Sequence, residues 1–541
     1  MAGQYGSQPI FIINPNTEHR QGKDALSMNI AASKAVANIV KTTLGPKGMD
    51  KMLVNEIGDI VVTNDGAMIL KGMDIEHPTA KMIVEVAKTQ EDIAGDGTTS
   101  AVVIAGALLE KAEELIEGGV HPTILIKGFN LATEKAVEIL NDFAVDVSEN
   151  RKMLETVAKT AISGKSSETD RDLIAKLCVD AALEIAKDGK MNIDDDIILR
   201  QDPSETVSDT EIVEGIILFK SRLHPSMPKL VKNAKIALLD APLEVRKTTN
   251  KSKIQIETPE ELEAYLAQED ADVKAVVDKI IESGATAVFT TKNIDDHAVH
   301  YLQKAGIFAI RRVNDDDMKN LSYATGARIV KKPHEIEALD LGDAGRVEQE
   351  GDTDPATIFV SECPNAKVIT IRIRGGTEHV TDNLERTLDD ALRVVKAVYE
   401  DKKIVAGGGA SELEVAQKLR EYASSIGGRE QLAIAAFADA IEAVPRAIAD
   451  NAGFEGMDII LKLHAAHLED ANAGFDVYSG DVKNMVEAGI LDPLRVKTQA
   501  ILSASEVATM VLKVDDMMRA QKKDMMDVAP EHNIHNYNRP F

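Results

Sequence analysis

The sequence predicts a mixed α and α/β multidomain protein, in which a mostly helical outer domain is interrupted by a small hinge domain and an inserted α/β domain. Helical apolar periodicity dominates residues 28–143 and returns after residue 407, whereas short apolar runs alternate with helical patterns between residues 215 and 374. The chain has 541 residues, too many for one core, and 44% of them are hydrophobic. Because 4% are aromatic and none is Trp, the cores must use Ala, Val, Ile, Leu and Met, which suits helices.

The charge balance argues against several classes of partner. Lys and Arg number 62 against 89 Asp and Glu, and the net charge of −27 repels phosphate backbones and anionic lipid. The two cysteines, Cys178 and Cys363, lie far apart without metal-type spacing, which fits a reducing compartment. Residues 1–14 lack the features of a secretory leader, and no apolar stretch reaches membrane-spanning length. We therefore expect a soluble, cytoplasmic protein that binds neither nucleic acid nor membrane.

The first helix is predicted over residues 28–44, where apolar residues recur on one stripe until Gly45 and Pro46. The GPKGMDK loop (45–51) either stops this helix or lets backbone approach a phosphate. Further on, a β-branched run at 60–63, the turn NDG and an apolar run at 67–70 predict a β-hairpin. Asp65 either makes this turn or holds its carboxylate toward the same phosphates, and the sequence leaves both readings open.

A helix over residues 78–93 leads into GDGTTS (95–100), and small and apolar residues at helical spacing follow at 101–116. Glycines and hydroxyl side chains at a helix start offer unpaired N–H groups and a positive dipole end, which suits a phosphate. A carboxylate there would repel a triphosphate unless a divalent cation lay between them, so Asp96 is interpreted as a Mg²⁺ ligand. The alternative is a capped helix after a glycine turn, with Asp96 as N-cap. Another helix is predicted over 121–143.

The next part of the chain alternates between helices and strands. Helices are predicted over 151–162 and 170–187, joined by a small-residue turn from which Lys165 could reach a phosphate, although no P-loop spacing occurs. Strands are predicted at 236–239, 287–290, 307–310 and 328–330. The polar stretch 247–254 and the charged helix 259–268 contain few large apolar residues, so they should project from their domain.

The last part combines a strand, glycine turns and further helices. A strand at 367–374 precedes a helix at 380–400, on which the adjacent Asp389 and Asp390 point about 100° apart, so at most one of them faces any given site. Gly407, Gly408 and Gly409 then open another helix. Pro445 should kink or break a helix over 430–449, and a strand is predicted near 511–514.

Two histidine pairs have the i, i+3 spacing of possible metal ligands. His297 pairs with His300, and His464 pairs with His467. Neither pair has a nearby third ligand that would define a site. We therefore expect both pairs on solvated helix faces.

Five motifs, in this order, resemble those of the chaperonins: TLGPKGMDK (43–51), VTNDG (62–66), GDGTTS (95–100), DAL (390–392) and AGGG (406–409). The polar excursion near 247–270, the MDK ending of the first motif and the phrase GILDP (489–493) resemble group II members, specifically archaeal thermosome subunits. The resemblance covers nearly the whole chain except the first dozen residues and the tail after about residue 520.

This resemblance implies an ATP-driven protein-folding machine with two stacked rings of eight or nine identical or closely related subunits. Unfolded or partly folded proteins would be its partners, and a built-in lid would replace a separate co-chaperonin. The implied equatorial ATP-binding domain comprises 1–147 and 404–541, and the hinge or intermediate domain comprises 148–216 and 369–403. The implied apical substrate-binding domain is 217–368, with the helical lid protrusion at about 247–272.

The resemblance also implies roles for individual residues around ATP and Mg²⁺. Asp96 would bind the metal, Asp390 would orient or activate the attacking water with Asp65 alongside, and Lys165 would sense the γ-phosphate. Asp492 would take the ribose hydroxyls. The remaining implied nucleotide contacts are Thr43, Leu44, Gly45, Pro46, Gly97, Thr98, Thr99, Ser100, Gly408 and Gly409.

Two features depart from the family pattern. Asp389 stands where many thermosomes have His, and the tail lacks the Gly-Met repeats that some members carry. Three rival interpretations remain: a metabolic kinase with a nested substrate domain, a non-catalytic scaffold, and a group I chaperonin. Residues 230–365 show no acid/base or histidine cluster suited to a small substrate, and the excursion at 247–270 disfavours group I.

Overall fold

The computed structural model of the chain describes residues 17–54, 57–147, 150–165, 168–244, 258–352, 354–365 and 367–520. The helices and strands form three groups with separate hydrophobic cores. We call them the outer unit (described residues of 17–146 and 403–520), the middle unit (150–214 and 367–401) and the inserted unit (216–365). The chain enters and leaves the inserted unit through the middle unit, so the outer and middle units are each built from two distant segments.

The first segment of the outer unit is mostly helical. Its elements are β1 (Thr17–Gln21), α1 (Gly22–Lys41), β2 (Lys51–Val54), β3 (Ile60–Thr63), α2 (Gly66–Lys71), α3 (Pro78–Ala94), α4 (Thr98–Glu117), α5 (Pro122–Phe143) and β4 (Val145–Asp146). The predicted hairpin over 60–70 is wrong, because β3 pairs with the preceding β2. Asp65 accepts hydrogen bonds from the N–H groups of Ala67 and Met68 and thereby caps α2, so the apolar run after it starts a helix.

The middle and inserted units follow. Their elements are α6 (Arg151–Ile162), α7 (Glu168–Ile185), α8 (Ile193–Asp196), β5 (Ile197–Asp202), β6 (Glu211–Glu214), β7 (Ile216–Phe219), β8 (Leu230–Leu239), α9 (Pro259–Glu282), β9 (Ala287–Thr290), α10 (Asp296–Lys304), β10 (Phe308–Ile310), α11 (Asp315–Thr325), β11 (Ile329–Val330), β12 (Gly342–Glu350) and β13 (Thr357–Ser361). The inserted unit has a mixed sheet in the order β10-β9-β8-β12-β13-β7, with β11 beside β8. Apolar residues cover both of its faces, as expected for an α/β layer.

The predicted projection of the inserted unit is only partly described. The polar stretch 247–254 lies outside the described residues. The charged helix expected at 259–268 is the beginning of the longer α9, which starts with a capping box between Thr258 and Glu261. The described side chains of α9 are exposed as far as Gln268, and the helix joins the core from Val273 onward. The start of α9 therefore contributes little to the packing of its unit.

The last segment completes the middle and outer units. Its elements are β14 (Ile369–Arg374), α12 (Glu378–Asp401), β15 (Lys403–Ala406), α13 (Ala410–Ile426), α14 (Glu430–Ile441), α15 (Ala443–Asn451), α16 (Gly456–His467), β16 (Ala473–Asp476), β17 (Asp481–Asn484), α17 (Met485–Ala488), β18 (Leu491–Pro493), α18 (Leu494–Leu512) and β19 (Asp516–Ala520). β14 joins β5 and β6, β15 joins β18 and β4, and β19 joins β1. Strand pairing therefore joins the two chain segments of the middle unit to each other, and likewise the two segments of the outer unit.

Three predictions about this last segment have different outcomes. The helix over 430–449 breaks between α14 and α15, near Pro445, as predicted. The strand predicted near 511–514 is wrong, because α18 continues to Leu512 and the strand is β19. The solvated position predicted for His467 is also wrong, since its ring is buried and Nε2 lies 2.6 Å from the carbonyl oxygen of Ala473.

Two further expectations concern cysteines and membranes. Cys178 is buried and Cys363 is half-buried, and both are free thiols. Across the described ranges, no helix combines the length and apolar character needed to cross a bilayer.

A close helix crossing in the outer core gives a test of the packing. A Cβ added to Gly106 on α4 would lie 2.4 Å from the Cβ of Ala37 on α1. We expect Gly106→Ala to lower the free energy of unfolding by about 1–3 kcal/mol, since overpacking forces the helices apart. Thermal unfolding of the purified protein would measure this change.

Two variants control for this effect. Gly376→Ala should be nearly silent, because nothing lies within 4 Å of the added Cβ. Adding Ala37→Gly to Gly106→Ala should restore much of the lost stability. A parental unfolding temperature for Gly106→Ala alone would contradict the tight crossing.

Candidate functional site

The candidate site is a cavity of about 540 Å³ between the outer and middle units. This volume lies in the range of ligand pockets. Of the predicted site residues, Asp390 is not part of the wall, and the others form it together: Thr43, Leu44, Gly45, Pro46, Asp65, Asp96, Gly97, Thr98, Thr99, Ser100, Lys165, Gly408, Gly409 and Asp492. Six separate parts of the sequence (43–46, 65, 96–100, 165, 408–409 and 492) therefore meet at one place.

The start of α4 forms one wall of the cavity. Its N-cap is Gly97, which has a φ of +79° and offers no capping side chain, so the alternative role of Asp96 as N-cap is not observed. The N–H groups of the first helical turn are left available for an anion. The buried Gln90 fixes this turn, because its Nε2 donates to the carbonyl oxygens of Asp96 (2.7 Å) and Val496 (3.1 Å).

The loop after α1 forms a neighbouring wall. Gly45 adopts a φ of +89°, which lets the chain turn sharply under Ile448. Asn451 on α15 holds the loop, since its Nδ2 donates to the carbonyl oxygens of Lys41 (2.9 Å) and Leu44 (2.8 Å). The loop backbone therefore faces the cavity in a fixed shape.

The glycines before α13 form another part of the cavity wall. Gly408 and Gly409 have φ values of +61° and +82°, and Gly409 is the N-cap of α13. A Cβ on Gly408 would approach the Met485 sulfur to 2.7 Å, so only glycine fits there. Asp492 lies beside this turn, because β18 pairs with β15 and places Asp492 opposite Val405.

Lys165 connects the middle unit to the outer unit. Its Nζ lies 2.8 Å from Oδ2 of Asp390 on α12 and 3.2 Å from Oδ1 of Asp96 in the outer unit. Asp390 does not line the cavity itself, but it forms an ion pair with Lys165, which does. The neighbouring Asp389 points away and pairs with Arg393 at 2.9 Å, as the angular separation of adjacent helical residues requires.

The backbone of the Lys165 loop is held from both sides. Asn64 of the outer unit donates from Nδ2 to the carbonyl oxygen of Gly164 at 2.8 Å. Asn383 of α12 donates from Nδ2 to the carbonyl oxygen of Lys165 at 3.0 Å. A Cβ on Gly164, whose φ is +85°, would come within 2.9 Å of the Cα of Pro46, so this contact requires glycine.

Negative charge exceeds positive charge around Lys165. Burial lowers the pKa of Lys165, but Asp390 and Asp96 outweigh burial and hold that pKa above its ordinary value. Burial raises the pKa of Asp390, Lys165 opposes the shift, and Asp96 and Asp65 add to it. Asp65 also accepts a hydrogen bond from the Thr98 hydroxyl at 3.3 Å. Two carboxylates thus share one ammonium while that of Asp65 lies close enough to add negative charge, so the electrostatics of the site favour a second cation.

This chemistry fits a nucleotide that arrives with a divalent metal. Within the described ranges, no group of three or more metal-binding side chains is arranged to hold an ion alone. Mg²⁺ sites commonly combine one or two carboxylates with phosphate oxygens and waters, so a site that lacks a complete protein cage suits Mg²⁺. The free N–H groups of α4 would meet the phosphates and Asp96 would meet the metal.

Sequence reasoning missed several residues that shape the site. Gln90, Asn451 and Asn383 are polar residues inside helices, and no sequence signal separates them from solvent-facing ones. Asn64 could have been found, because it adjoins Asp65 in the VTNDG motif. Lys497 could also have been found, as a charged residue five positions after Asp492 in the cavity wall.

Comparisons with known proteins agree on the family that this chain resembles. The model of the TCP-1/cpn60 chaperonin family matches residues 36–522. A thermosome subunit of Pyrococcus horikoshii is 52% identical over 96% of this chain and 95% of its own length. Thermosome subunit beta of Methanothermobacter thermautotrophicus is 51% identical over 97% of both chains, and thermosome subunit alpha of Archaeoglobus fulgidus is 50% identical over 95% of both.

The Lys165 contacts lead to a test that needs no ligand. In Lys165→Met, Asp96 and Asp390 lose their shared cation, so the middle unit should separate from the outer unit more often. We expect amide hydrogen exchange in residues 163–165 to accelerate at least about tenfold. Mass spectrometry of peptides that cover this loop would measure the change.

Lys159→Met is the matched control for this test. Lys159 also lines the cavity, but its ion pair is with Asp172 of the same unit at 2.9 Å. Its exchange pattern should stay near parental. Equal protection in Lys165→Met and the parent would show that this ion pair does not hold the two units together.

Proposed function

Because the chain belongs to the TCP-1/cpn60 chaperonin family and is a group II chaperonin subunit, an ATPase that promotes protein folding, we propose that the cavity binds ATP with Mg²⁺ and hydrolyses it when the hinge closes. Family membership removes the metabolic kinase and the non-catalytic scaffold as alternatives. The contact of Lys165 with carboxylates from two units is the observation that carries this proposal.

The three units correspond to the three domains expected from the resemblance. The outer unit falls within the expected equatorial domain (1–147 and 404–541) except for Lys403, and the middle unit falls within the expected intermediate domain (148–216 and 369–403) except for residues 367–368. The inserted unit is the apical domain (217–368). Separate hydrophobic cores support this division, since domains with their own cores can move as bodies.

The nucleotide lies along the cavity with its phosphates at the start of α4. Gly97, Thr98, Thr99 and Ser100 hold the phosphates through N–H groups and hydroxyls. The 43–46 loop covers the nucleotide, and Gly408, Gly409 and Asp492 face the ribose. Asp96 binds Mg²⁺, which when present neutralises phosphate charge.

Hydrolysis depends on residues from both sides of the hinge. Asp390 of the middle unit orients and activates the attacking water, and Asp65 assists from the outer unit. Phosphoryl transfer needs such positioning more than covalent chemistry. Lys165 senses the γ-phosphate, exchanging part of its contact with Asp96 for the phosphate. Closure therefore brings the water-positioning group and the sensor to the phosphates in one motion.

The role of Asp390 is tested by Asp390→Ala. We expect hydrolysis to fall by about two orders of magnitude, roughly 2.7 kcal/mol of transition-state stabilisation. ATP affinity should stay near parental, because positioning the water matters in the transition state and little in the ground state. Single-turnover hydrolysis and equilibrium ATP binding would measure the two effects separately.

Asp389→Ala is the matched control, because Asp389 is adjacent in sequence and points away from the cavity. It should keep parental hydrolysis. If Asp390→Ala turned over ATP at the parental rate, the role assigned to Asp390 would be wrong.

Family membership also indicates assembly with other subunits and binding of substrate proteins. We propose two stacked rings of eight or nine identical or related subunits, closed without a separate co-chaperonin. The β2–β3 hairpin supports assembly, because it exposes Met52, Val54, Ile60 and Val62, and a two-stranded hairpin is marginal in water alone. Negative-stain electron microscopy with and without ATP would count the subunits and detect closure.

The excursion at about 247–272 is proposed as the lid. We expect replacement of residues 247–268 by a short Gly/Ser linker to leave assembly and hydrolysis intact, since the described side chains there are exposed. Protection of an unfolded client from added protease, in ATP plus a transition-state mimic, should be lost. The replaced segment ends before Asp270, because Asp270 accepts a hydrogen bond from Tyr301 at 2.5 Å that should be kept. Equal client protection in the replacement and the parent would exclude a lid role.

A further inference from the structure

A second lysine of the cavity wall bridges two carboxylates. Nζ of Lys497 lies 2.8 Å from Oδ2 of Asp492 and 2.8 Å from Oε1 of Glu412. The Lys497 side chain is 14% exposed and the Glu412 side chain is 5% exposed. Unlike the contacts of Lys165, all three groups of this triad lie within the outer unit.

The two carboxylates of the triad differ in the oxygens they leave available. Both oxygens of Glu412 are used, because Oε2 accepts from the Ser411 hydroxyl at 2.9 Å. Asp492 uses Oδ2 for Lys497, and its Oδ1 makes no hydrogen bond or ion pair within the described part of the chain. Asp492 lines the cavity, so Oδ1 is the acceptor that the triad leaves for a ligand.

The carboxylates of Asp492 and Glu412 need the ammonium of Lys497 beside them because they are buried. Burial raises the pKa of the Asp492 carboxyl, and Lys497 opposes that shift. Burial also acts against the charge on Glu412, yet Lys497, a backbone N–H and the Ser411 hydroxyl together outweigh it and hold the pKa of Glu412 below its ordinary value. Without Lys497, two carboxylates would remain in a poorly hydrated wall, which is a costly arrangement.

The backbone reinforces the position of Asp492. Asp492 faces Val405 across the β15–β18 pair, next to the Gly407–Gly409 turn. A Cβ on Gly407 would lie 3.2 Å from Oδ2 of Asp492, so a larger residue there would push the carboxylate away from Lys497. Strand pairing and the ion pair thus fix the side chain from two directions.

We propose that Lys497 is a positioning residue, which holds Asp492 so that its free oxygen accepts a ribose hydroxyl and thereby sets the preference for ribonucleotides over deoxyribonucleotides. This inference rests on the proposed nucleotide site. The contacts of Lys497 are with Asp492 and Glu412, so its loss should act through the position of Asp492 on nucleotide binding rather than on the chemical step.

The test compares the assembled parent with Lys497→Met, using ATP, 2′-deoxy-ATP and 3′-deoxy-ATP. The parent should favour ATP over at least one deoxy analogue by roughly tenfold in KM, as expected for a hydrogen bond to a charged group. Lys497→Met should raise KM for ATP at least about tenfold, with kcat within about twofold of parental, and should lose the preference.

Two further variants separate positioning from a structural role. In Lys497→Met with Glu412→Gln, the net charge of the triad equals the parental value, while Asp492 still lacks its cation. Because its charge is balanced, this double variant controls for misfolding of Lys497→Met. It should also lack the preference for ATP over the deoxy analogues. Lys483→Met removes another lysine of the cavity wall, paired with Asp476 at 2.5 Å, and should keep the preference.

Several outcomes would overturn the inference. The inference would be wrong if Lys497→Met kept the parental preference for ATP over the deoxy analogues, or if the double variant regained it. It would also be wrong if Lys483→Met lost this preference to the same extent. A parent that hydrolyses ATP without any preference would overturn the inference and leave the proposed ATPase site standing. A parent that does not bind ATP at all would overturn the proposed site itself.

Discussion

The ammonium group of Lys165, held between Asp96 and Asp390, is the interaction on which the coupling of this molecule depends. It joins a loop of the middle unit to the turn that precedes α4 in the outer unit. Because the surrounding charge is negative in excess, the arrangement is stable only while a cation stays between the carboxylates. Lys165 therefore contributes to the contact between the two units, together with the hydrogen bonds that Asn64 and Asn383 donate to the same loop.

Two lysines of the cavity wall make the same kind of bridge in different structural settings. Each lysine is mostly buried and bridges two carboxylates, Lys165 between Asp96 and Asp390, and Lys497 between Asp492 and Glu412. The first bridge crosses between units and can open when they separate. The second lies within one unit and keeps its geometry.

Glycine is required where backbones must approach closely. Gly164 lies against Pro46, Gly408 lies against Met485, and a side chain at either position would clash. Both glycines have positive φ, which other residues rarely adopt. The loops that surround the cavity can therefore expose N–H groups to a ligand and still pack against each other.

Much of the architecture could be predicted from the sequence, because periodicity and motif order are local properties. They indicated the mixed fold class, most helices and the nested order, while the resemblance to the chaperonins supplied most of the candidate site residues, including Asp492. Local signals predicted a β-hairpin at residues 60–70, but residues 66–71 form a helix because Asp65 caps it. They also predicted a solvated His467, whose burial depends on how α16 packs.

Tertiary structure alone decided which distant polar groups meet. Gln90, Asn451 and Asn383 carry no sequence signal that separates them from solvent-facing polar residues. Their roles arise because strand pairing and helix packing bring residues 218 to 410 positions apart within hydrogen-bonding distance. The sequence determined which segments could face a phosphate, since that depends on local backbone chemistry. Only the fold decided which charges share a buried wall, because the free energy of a buried charge depends on partners that no local pattern specifies.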